Sequence, residues 1–477
     1  MLFNSIEFLF FFPLVVWVYF SLSHQTRWIW LLLASCYFYM VWNPPYILLL
    51  LFSSSIDYLA ALKMGQTADK TKKRKYLLLS ILSNLGILFT FKYFNFFTDN
   101  LKLLTSSLGL QASFPTLKLI LPLGISFYTF QALSYAIDVY RDKLKPERNY
   151  FKFALYILFF PQLVAGPIER STHLLPQFYK KTLFDEARVI SGLRLMLWGL
   201  FQKLVIADNL SAFVQAVYGK PTAYAAPAFI LATYFFAFQI YCDFAGYSNI
   251  AIGSARVLGF DLMKNFDRPY FATSVTDFWR RWHISLSTWF KDYLYIPLGG
   301  NRVSIPRWSF NILAVFIISG LWHGASWTFI IWGALHGLYM VAENILKPAW
   351  NRLFSALKID TRSFPFTAAK VFLVFNLVCF AWIFFRANSL QDAGFIAQNL
   401  LNFHNWSLPE FGPEYFVLAI SSIILMEAIQ ALQAYPNLWR KFYLQPAWLR
   451  WGMYSAVLWI IFLFGEFSKR QFIYFVF

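Results

Sequence analysis

The stretch SGLWHGASWTFIIWGALHGLYM, residues 319–340, is almost entirely apolar, and its ionisable side chains are two histidines. A bilayer core takes about 20 consecutive, mostly apolar residues per helical span, and such stretches recur from Ile6 almost to Phe477. Of the 477 residues, 59% are hydrophobic and only 13% are charged, whereas a soluble protein carries roughly 25% charged residues. The sequence therefore predicts an all-α polytopic membrane protein.

The composition excludes several other classes of protein. The apolar content is too high for a disordered chain, and three separated cysteines do not form a disulfide scaffold. The formal net charge is +18, but Lys and Arg lie in short loops between apolar runs, as the orientation of membrane helices requires. Because no basic stripe alternates with exposed aromatic residues, we expect no nucleic-acid binding.

Apolar runs indicate where the chain crosses the membrane. Candidate spans lie near residues 6–22, 28–43, 45–62, 76–98, 117–139, 151–168, 190–215, 224–252, 306–321, 326–346, 366–386, 413–434 and 446–466. The segment 151–168 contains two prolines and is interpreted as re-entrant, which requires its free backbone groups to meet protein or water. We expect about eleven transmembrane helices, with re-entrant and interfacial helices, in one domain covering residues 1–477.

The basic loop from Lys63 to Lys75 sets the orientation. Its density of Lys and Arg places it in the cytoplasm, so three preceding spans put the N-terminus outside. The first span has no basic n-region and no small-residue cleavage site, so it is interpreted as retained and not as a signal peptide.

Residues 271–302, FATSVTDFWRRWHISLSTWFKDYLYIPLGGNR, predict an amphipathic helix at the cytoplasmic interface. Ser274 and Asp277 have the spacing of a capping box, and Pro297 with the following glycines ends the pattern. One face of this helix is apolar and includes His283. This histidine is either a core residue bonded to a carbonyl group or a catalytic residue.

The same segment carries candidate ligands for an anionic donor. Arg280, Arg281 and Lys291 either extend to lipid headgroups or hold the phosphates of a soluble donor, helped by the Gly-Gly turn that leads to Asn301. A Gly-Gly turn alone is weak evidence for phosphate binding.

Two histidines lie within the apolar stretch 319–340. On one continuous helix, His323 and His336 would be about 20 Å apart and could not share a site. Gly320 and Gly324 weaken the helix around His323, so we expect a break there, where backbone approaches substrate. Asp243 is a further polar residue in an apolar helix, and it is either a functional residue or a device for helix packing through hydrogen bonds between helices. The six histidines, including His404, show no metal-ligand spacing, so we expect no metal.

Several motifs together resemble the membrane-bound O-acyltransferase family, in the bacterial branch that acetylates alginate and peptidoglycan. They include FPQLVAGPIER (160–170), YCDFAGYSNIAIG (241–253), NFDRPY (265–270), FWRRWHISLSTWFKDYLYIPLGGNR (278–302) and GLWHGASWTFIIWGALHG (320–337). The resemblance implies peripheral spans around a thin central core, with a cavity from outside that meets a passage from the cytoplasm. It also implies that His323 is the catalytic residue and His283 the second polar residue near the passage.

Acetyl transfer from a thioester to a hydroxyl group needs a base and a stabilised oxyanion. We predict that His323 is the base, and that His283 or nearby amide and indole N–H groups orient the thioester carbonyl. Acetyl-CoA from the cytoplasm would be a substrate, with no tightly bound cofactor. The acceptor would be an exported polysaccharide or a hydroxyl group of an extracytoplasmic partner acetyltransferase, in the bacterial inner membrane. A multi-span transporter without its own chemistry is the alternative.

Overall fold

The computed structural model describes residues 1–110, 112–164, 166–403, 407–435, 437–438, 441, 444–467 and 472–473, and its regular elements in these residues are all helical. The α-helices are α1 (Ile6–Ser21), α2 (His24–Met40), α3 (Tyr46–Gly65), α4 (Lys70–Leu88), α5 (Phe94–Ser107), α6 (Ile125–Tyr140), α7 (Tyr150–Leu158), α8 (Phe160–Leu163), α9 (Ser171–Leu174), α10 (Glu186–Leu200), α11 (Asp208–Gly219), α12 (Ala226–Leu258), α13 (Val275–Arg281), α14 (Ile284–Phe290), α15 (Ile305–His323), α16 (Trp327–Ala356), α17 (Phe364–Arg386), α18 (Leu390–Asn399), α19 (Pro413–Gln433) and α20 (Ala447–Phe464). Segments of π-helix join or extend them at Phe89–Tyr93, Phe201–Ala207 and Lys291–Tyr295, and 3₁₀ turns lie at Leu175–Tyr179, Pro221–Ala223 and Pro269–Phe271.

Nine helices in the described part of the chain are long and apolar enough to cross a membrane. Their outward faces carry large apolar side chains, such as Phe364 and Trp448, which are 84% and 74% exposed. In water such a surface would drive aggregation, whereas in lipid it is the expected exterior. The predicted all-α polytopic membrane fold is confirmed, and the number of about eleven spans stays a prediction.

The chain forms two compact units, one of residues 1–193 with 251–263 and the other of residues 194–250 with 264–477. The prediction of a single domain over residues 1–477 stays a prediction.

In the first unit, the segment predicted as re-entrant is a broken helix: α7 ends at Leu158, and α8 restarts around Pro161. Gln131 and Gln162 both donate hydrogen bonds to the carbonyl of Tyr156, at 2.6 and 2.7 Å. Protein groups therefore satisfy the backbone that the break releases, as a break at membrane depth requires.

The span predicted for residues 117–139 is wrong in its first part, because α6 begins only at Ile125. Residues 112–122 are not helical, and Gly124 precedes the helix at φ +73°. Asn95 hydrogen-bonds the backbone of Leu117 twice, at 2.8 and 2.9 Å. Pro122 and these tertiary hydrogen bonds hold the segment extended, despite its apolar composition.

In the second unit, α15 and α16 form a closely packed helical hairpin. A Cβ atom on Gly320 would lie 2.2 Å from the carbonyl oxygen of Phe329, and one on Gly333 would lie 2.2 Å from that of Phe316. Only glycine permits such an approach of two backbones, and small residues are the usual means of close helix packing in membranes. His323 is at the end of α15, and residues 324–326 connect it to the first turn of α16.

Candidate active site

The helix predicted across residues 274–297 starts as expected and then breaks. Ser274 Oγ accepts a 3.0 Å hydrogen bond from the backbone N–H of Asp277, as the predicted cap requires. However, α13 ends at Arg281 and α14 begins only at Ile284. The prediction of one continuous helix is therefore wrong.

Tertiary backbone hydrogen bonds cause this break. The carbonyl of Asn265 accepts from the N–H of Ile284 at 2.8 Å, and the N–H of Asp267 donates to the carbonyl of Arg281 at 2.9 Å. His283, between the two helices, has φ +42°, a left-handed conformation that costs a non-glycine residue about 1–2 kcal/mol. Strain of this kind is concentrated at functional sites.

Asn265 fixes the side chain of His283. Its Oδ1 lies 3.1 Å from His283 Nδ1 and also accepts from the hydroxyl of Ser285 at 2.9 Å, while its Nδ2 donates to Ser248 Oγ at 3.0 Å. Because this oxygen is an acceptor, Nδ1 of His283 carries the hydrogen, which leaves the lone pair on Nε2. Burial lowers the pKa of His283 to about 3, so its imidazole is neutral.

His323 is the last residue of α15, and the predicted break in the chain follows it directly. Its ring is 3% exposed and contacts three aromatic rings. The ring centroids lie 4.9 Å from Trp322, 4.9 Å from Trp332 and 5.4 Å from Phe385. The glycines on either side of His323 thus end the helix, as expected.

In the structure, the two predicted catalytic histidines both contact the indole ring of Trp322. Trp322 lies 6.1 Å from the His283 ring and 4.9 Å from the His323 ring, between centroids. His336 also contacts an indole that touches His323, that of Trp332, at 5.1 Å between ring centroids. Its Nδ1 accepts a 3.2 Å hydrogen bond from the indole N–H of Trp279. His336 therefore has a structural partner, in contrast to its neighbour Trp332, whose buried indole N–H has no acceptor among the described residues.

A polar cavity of ≈490 Å³ lies beside the connection that follows His323. Its wall includes Ser326, Thr328 and Phe329 from this connection and the start of α16. The other lining residues are Ala207, Asp208, Ser211, Gln215, Gln239, Asp243, Arg386, Ala387, Asn388 and Ile473. The ring of Phe329 lies 4.9 Å from that of Phe385, which in turn contacts His323. Two aromatic rings in contact therefore connect the cavity wall to the imidazole.

A buried ion-pair network that the sequence analysis missed also borders this cavity. Lys203 Nζ lies 2.6 Å from Asp243 Oδ1 and 2.9 Å from Asp208 Oδ1, and all three side chains are at most 4% exposed. Lys203 projects from the π-helical segment Phe201–Ala207, and such segments often mark functional sites. Asp243 was expected to be either a functional residue or a packing device, and its partner is a lysine in another apolar stretch. The sequence did contain a signal for this network, because a lysine in the middle of the span predicted at 190–215 needs a buried partner of opposite charge.

The predicted donor-binding residues lie on the surface of the second unit. Arg280, Lys291 and Asn301 are exposed, and the half-buried Arg281 forms an ion pair with Asp277 at 2.9 Å. Their role in binding stays a prediction, as do the absence of a metal and of a tightly bound cofactor. His404 lies outside the described residues.

Comparison with known proteins identifies the family of the chain. The sequence profile described as MBOAT, membrane-bound O-acyltransferase family, matches residues 73–385. The chain is 37% identical to a peptidoglycan O-acetyltransferase of Helicobacter pylori, with 90% of this chain and 85% of the relative covered. It is 36% identical to a probable alginate O-acetylase of Pseudomonas aeruginosa, over 94% and 83% of the two chains, and 27% identical to a teichoic acid D-alanyltransferase of Bacillus subtilis, over 58% and 71%. The predicted acyl-transfer activity is confirmed, and the chain belongs to the membrane-bound O-acyltransferase family.

Proposed function

We propose that this enzyme transfers an acetyl group from cytoplasmic acetyl-CoA to a hydroxyl group outside the cytoplasm. The acceptor is an exported polysaccharide or a hydroxyl group of an extracytoplasmic partner acetyltransferase. The relatives named for peptidoglycan and alginate acetylation support a polysaccharide as the final acceptor. The basic residues from Lys63 to Lys75, which the structure places at the end of α3 and the start of α4, support a cytoplasmic position for this segment and an N-terminus outside. The membrane is then the bacterial inner membrane.

The observation that carries this proposal is the contact of His283 and His323 with the same ring, that of Trp322. In the proposed reaction, His323 takes the proton of the acceptor hydroxyl as its oxygen attacks the thioester carbonyl. The tetrahedral intermediate then expels the thiolate of CoA, which takes up that proton as the ester forms. The proton that leaves the alcohol thus ends on the thiol of CoA, and His323 is neutral again.

The hydrogen bonding of His283 argues against this residue, and for a nearby indole N–H group, as the donor that orients the thioester carbonyl. Its Nδ1–H is engaged by Asn265, so its Nε2 accepts hydrogen bonds and does not donate one to a carbonyl oxygen. His283 would therefore position the donor by accepting from an amide N–H of the CoA arm. The indole N–H of Trp332, which has no acceptor in the described part of the chain and whose ring touches His323, would stabilise the oxyanion.

The polar cavity suits an acceptor rich in hydroxyl groups. Hydroxyl, amide and carboxylate side chains line it, and these groups bind sugar or serine hydroxyls by hydrogen bonds. A hydroxyl group entering from the cavity would reach His323 past Phe329. On the donor side, the side chains of Arg280, Lys291 and Asn301 would hold the phosphates of CoA. The backbone N–H groups of residues 298–300 would not take part, because they already donate to carbonyls of residues 294–296. Arg281 would contribute less charge, because Asp277 already pairs with it.

Labelled acetyl-CoA tests the proposal. The purified wild-type protein in liposomes, with no transmembrane gradient, should release or exchange the acetyl group, and cells should carry acetylated surface glycans detectable by mass spectrometry. His323→Ala should abolish both activities, whereas His336→Gln, a matched change at a structural histidine, should leave measurable transfer. A His323→Ala protein that inserts normally and keeps full acetylation would refute the assignment, and a wild type that moves acetyl-CoA without cleaving it would favour a transporter.

A further inference from the structure

A second cavity lies in the first unit, at the ends of two membrane spans. It has a volume of ≈430 Å³ and forms where the chain enters α10 at Glu186 and leaves α12 at Leu258. We call it the basic pocket. Its lining residues are His173, Gln177, Lys180, Lys181, Thr182, Leu183, Arg188, Gly259 and Asp261. Because both spans end beside it, the basic pocket lies at the level of the membrane interface.

The basic pocket has an excess of positive charge. Lys180, Lys181 and Arg188 line it, against the single carboxylate of Asp261. Arg188 Nη2 donates a 2.6 Å hydrogen bond to the carbonyl of Leu183, which fixes the guanidinium group. Its Nε is buried and has no partner among the described residues. A guanidinium group that is held in place at the pocket wall is well suited to a phosphate oxygen.

The pocket is preorganised by its own backbone. The side chain of Gln177 donates to the carbonyl of Asp261 at 2.9 Å and accepts from its N–H at 2.8 Å. Gly259 has φ +89°, and a Cβ atom there would lie 2.1 Å from Thr182 Cγ2 and 3.3 Å from Arg188 Cζ. The loop after α12 is therefore held against the loop before α10 at a position that only glycine accepts.

An apolar rim adjoins the basic groups. Leu183 and Phe184 are 67% and 61% exposed. Leu183 lies two residues after Lys181, and Phe184 lies two residues before Glu186, where the span begins. A soluble phosphate needs no such rim. Lipid requires one, because its phosphate lies at the interface while its acyl chains contact apolar residues next to it.

From the charge, the fixed arginine and the apolar rim, we propose that the basic pocket binds the phosphate group of an anionic phospholipid. The group that the pocket binds is a phosphate ester, and the apolar rim indicates that this phosphate belongs to a lipid. Lys180 and Lys181 neutralise the headgroup and Arg188 orients its phosphate oxygens, while Leu183 and Phe184 contact the first methylene groups of the acyl chains. This role does not depend on the acetyl-transfer proposal.

Native mass spectrometry of the full-length protein in detergent tests this proposal with phosphatidylglycerol, cardiolipin and zwitterionic phosphatidylethanolamine. Lys180→Ala/Lys181→Ala should weaken binding of the anionic lipids by about tenfold or more, since each basic residue near a headgroup contributes about 1 kcal/mol. Both side chains are exposed, so folding is not at risk. Lys72→Ala/Lys75→Ala removes the same charge from the exposed start of α4 and should have a much smaller effect.

Titrations with inorganic phosphate and with CoA distinguish lipid from a soluble source. If the pocket variant loses CoA or phosphate binding while its anionic lipid binding is unchanged, the pocket serves a soluble ligand and the lipid proposal is overturned. Equal losses in the pocket and control variants would also overturn it, because they would reflect net charge alone. Lys180→Glu/Lys181→Glu should deepen the selective loss of anionic lipid.

Discussion

Asn265 Oδ1 lies 3.1 Å from His283 Nδ1, and this single contact sets both the tautomer and the orientation of the buried imidazole. The same asparagine accepts from the Ile284 N–H through its own carbonyl. It therefore holds the helix break and the side chain at the break together. A base or donor-binding group placed in this way needs no reorganisation when substrate arrives.

We predict that Asn265→Ala lowers kcat/KM by about tenfold to a hundredfold. A buried donor left without its acceptor costs about 1–3 kcal/mol, and about 1.4 kcal/mol corresponds to a factor of ten in rate. Asn265→Asp keeps the acceptor oxygen and should retain more activity than Asn265→Ala. Kinetics on samples of equal monodispersity by size-exclusion chromatography check this. Equal activity of the two variants would show that Asn265 supports only the backbone.

Trp332→Phe should lower kcat by about a hundredfold to a thousandfold, the usual effect of removing one oxyanion donor. Phenylalanine keeps an aromatic ring against His323 but removes the buried indole N–H. Trp279→Phe is the matched control, because its indole N–H donates to His336 and not toward His323. That control should lower the melting temperature and leave kcat nearly unchanged. A Trp332→Phe enzyme with wild-type kcat would exclude the indole as the oxyanion donor.

Much of the architecture was predictable, because a long apolar run in a bilayer has one low-energy structure, the membrane-spanning helix. The observed α15, α17, α19 and α20 begin and end within two residues of the predicted spans. Composition also indicated the re-entrant break near Pro161, since proline removes a donor that lipid cannot replace.

The site was predictable only in part. The WHG and RRWH motifs identified His323 and His283, but the periodicity around His283 favoured one continuous helix. The break depends on hydrogen bonds from Asn265 and Asp267, and helical periodicity contains no information on such distant partners. The ion pairs of Lys203 were missed for the same reason, because Asp243 is 40 residues away in sequence.

Lys203→Met should destabilise the protein by about 3–5 kcal/mol, the usual cost of leaving buried charges without their partner. Lys203 neutralises two carboxylates that are both 4% exposed. Combining Lys203→Met with Asp208→Asn and Asp243→Asn removes those charges and should recover most of the lost stability. Thermal unfolding in detergent measures the series. If the triple variant is no more stable than Lys203→Met, repulsion between the carboxylates is not the cause of the loss.

The ion pair of His173 with Glu169 should make stability fall as pH rises. His173 Nδ1 lies 2.8 Å from Glu169 Oε2, and this hydrogen bond raises the pKa of His173. Burial raises the pKa of Glu169 as well, despite the same contact. Both groups therefore bind protons more tightly in the folded state than in the unfolded state, whose values are about 6.5 and 4.3.

Where the folded state binds more protons, stability decreases with increasing pH. The contribution of His173 is complete below about pH 6.5 and disappears as pH rises through its folded pKa, while that of Glu169 is lost from about pH 4.3 upward. The other charged groups around His173, Asp261 and Lys180, act in opposite directions. His173→Gln should therefore lower the melting temperature more at pH 5 than at pH 8. An equal decrease at both values would assign His173 a packing role without a charge.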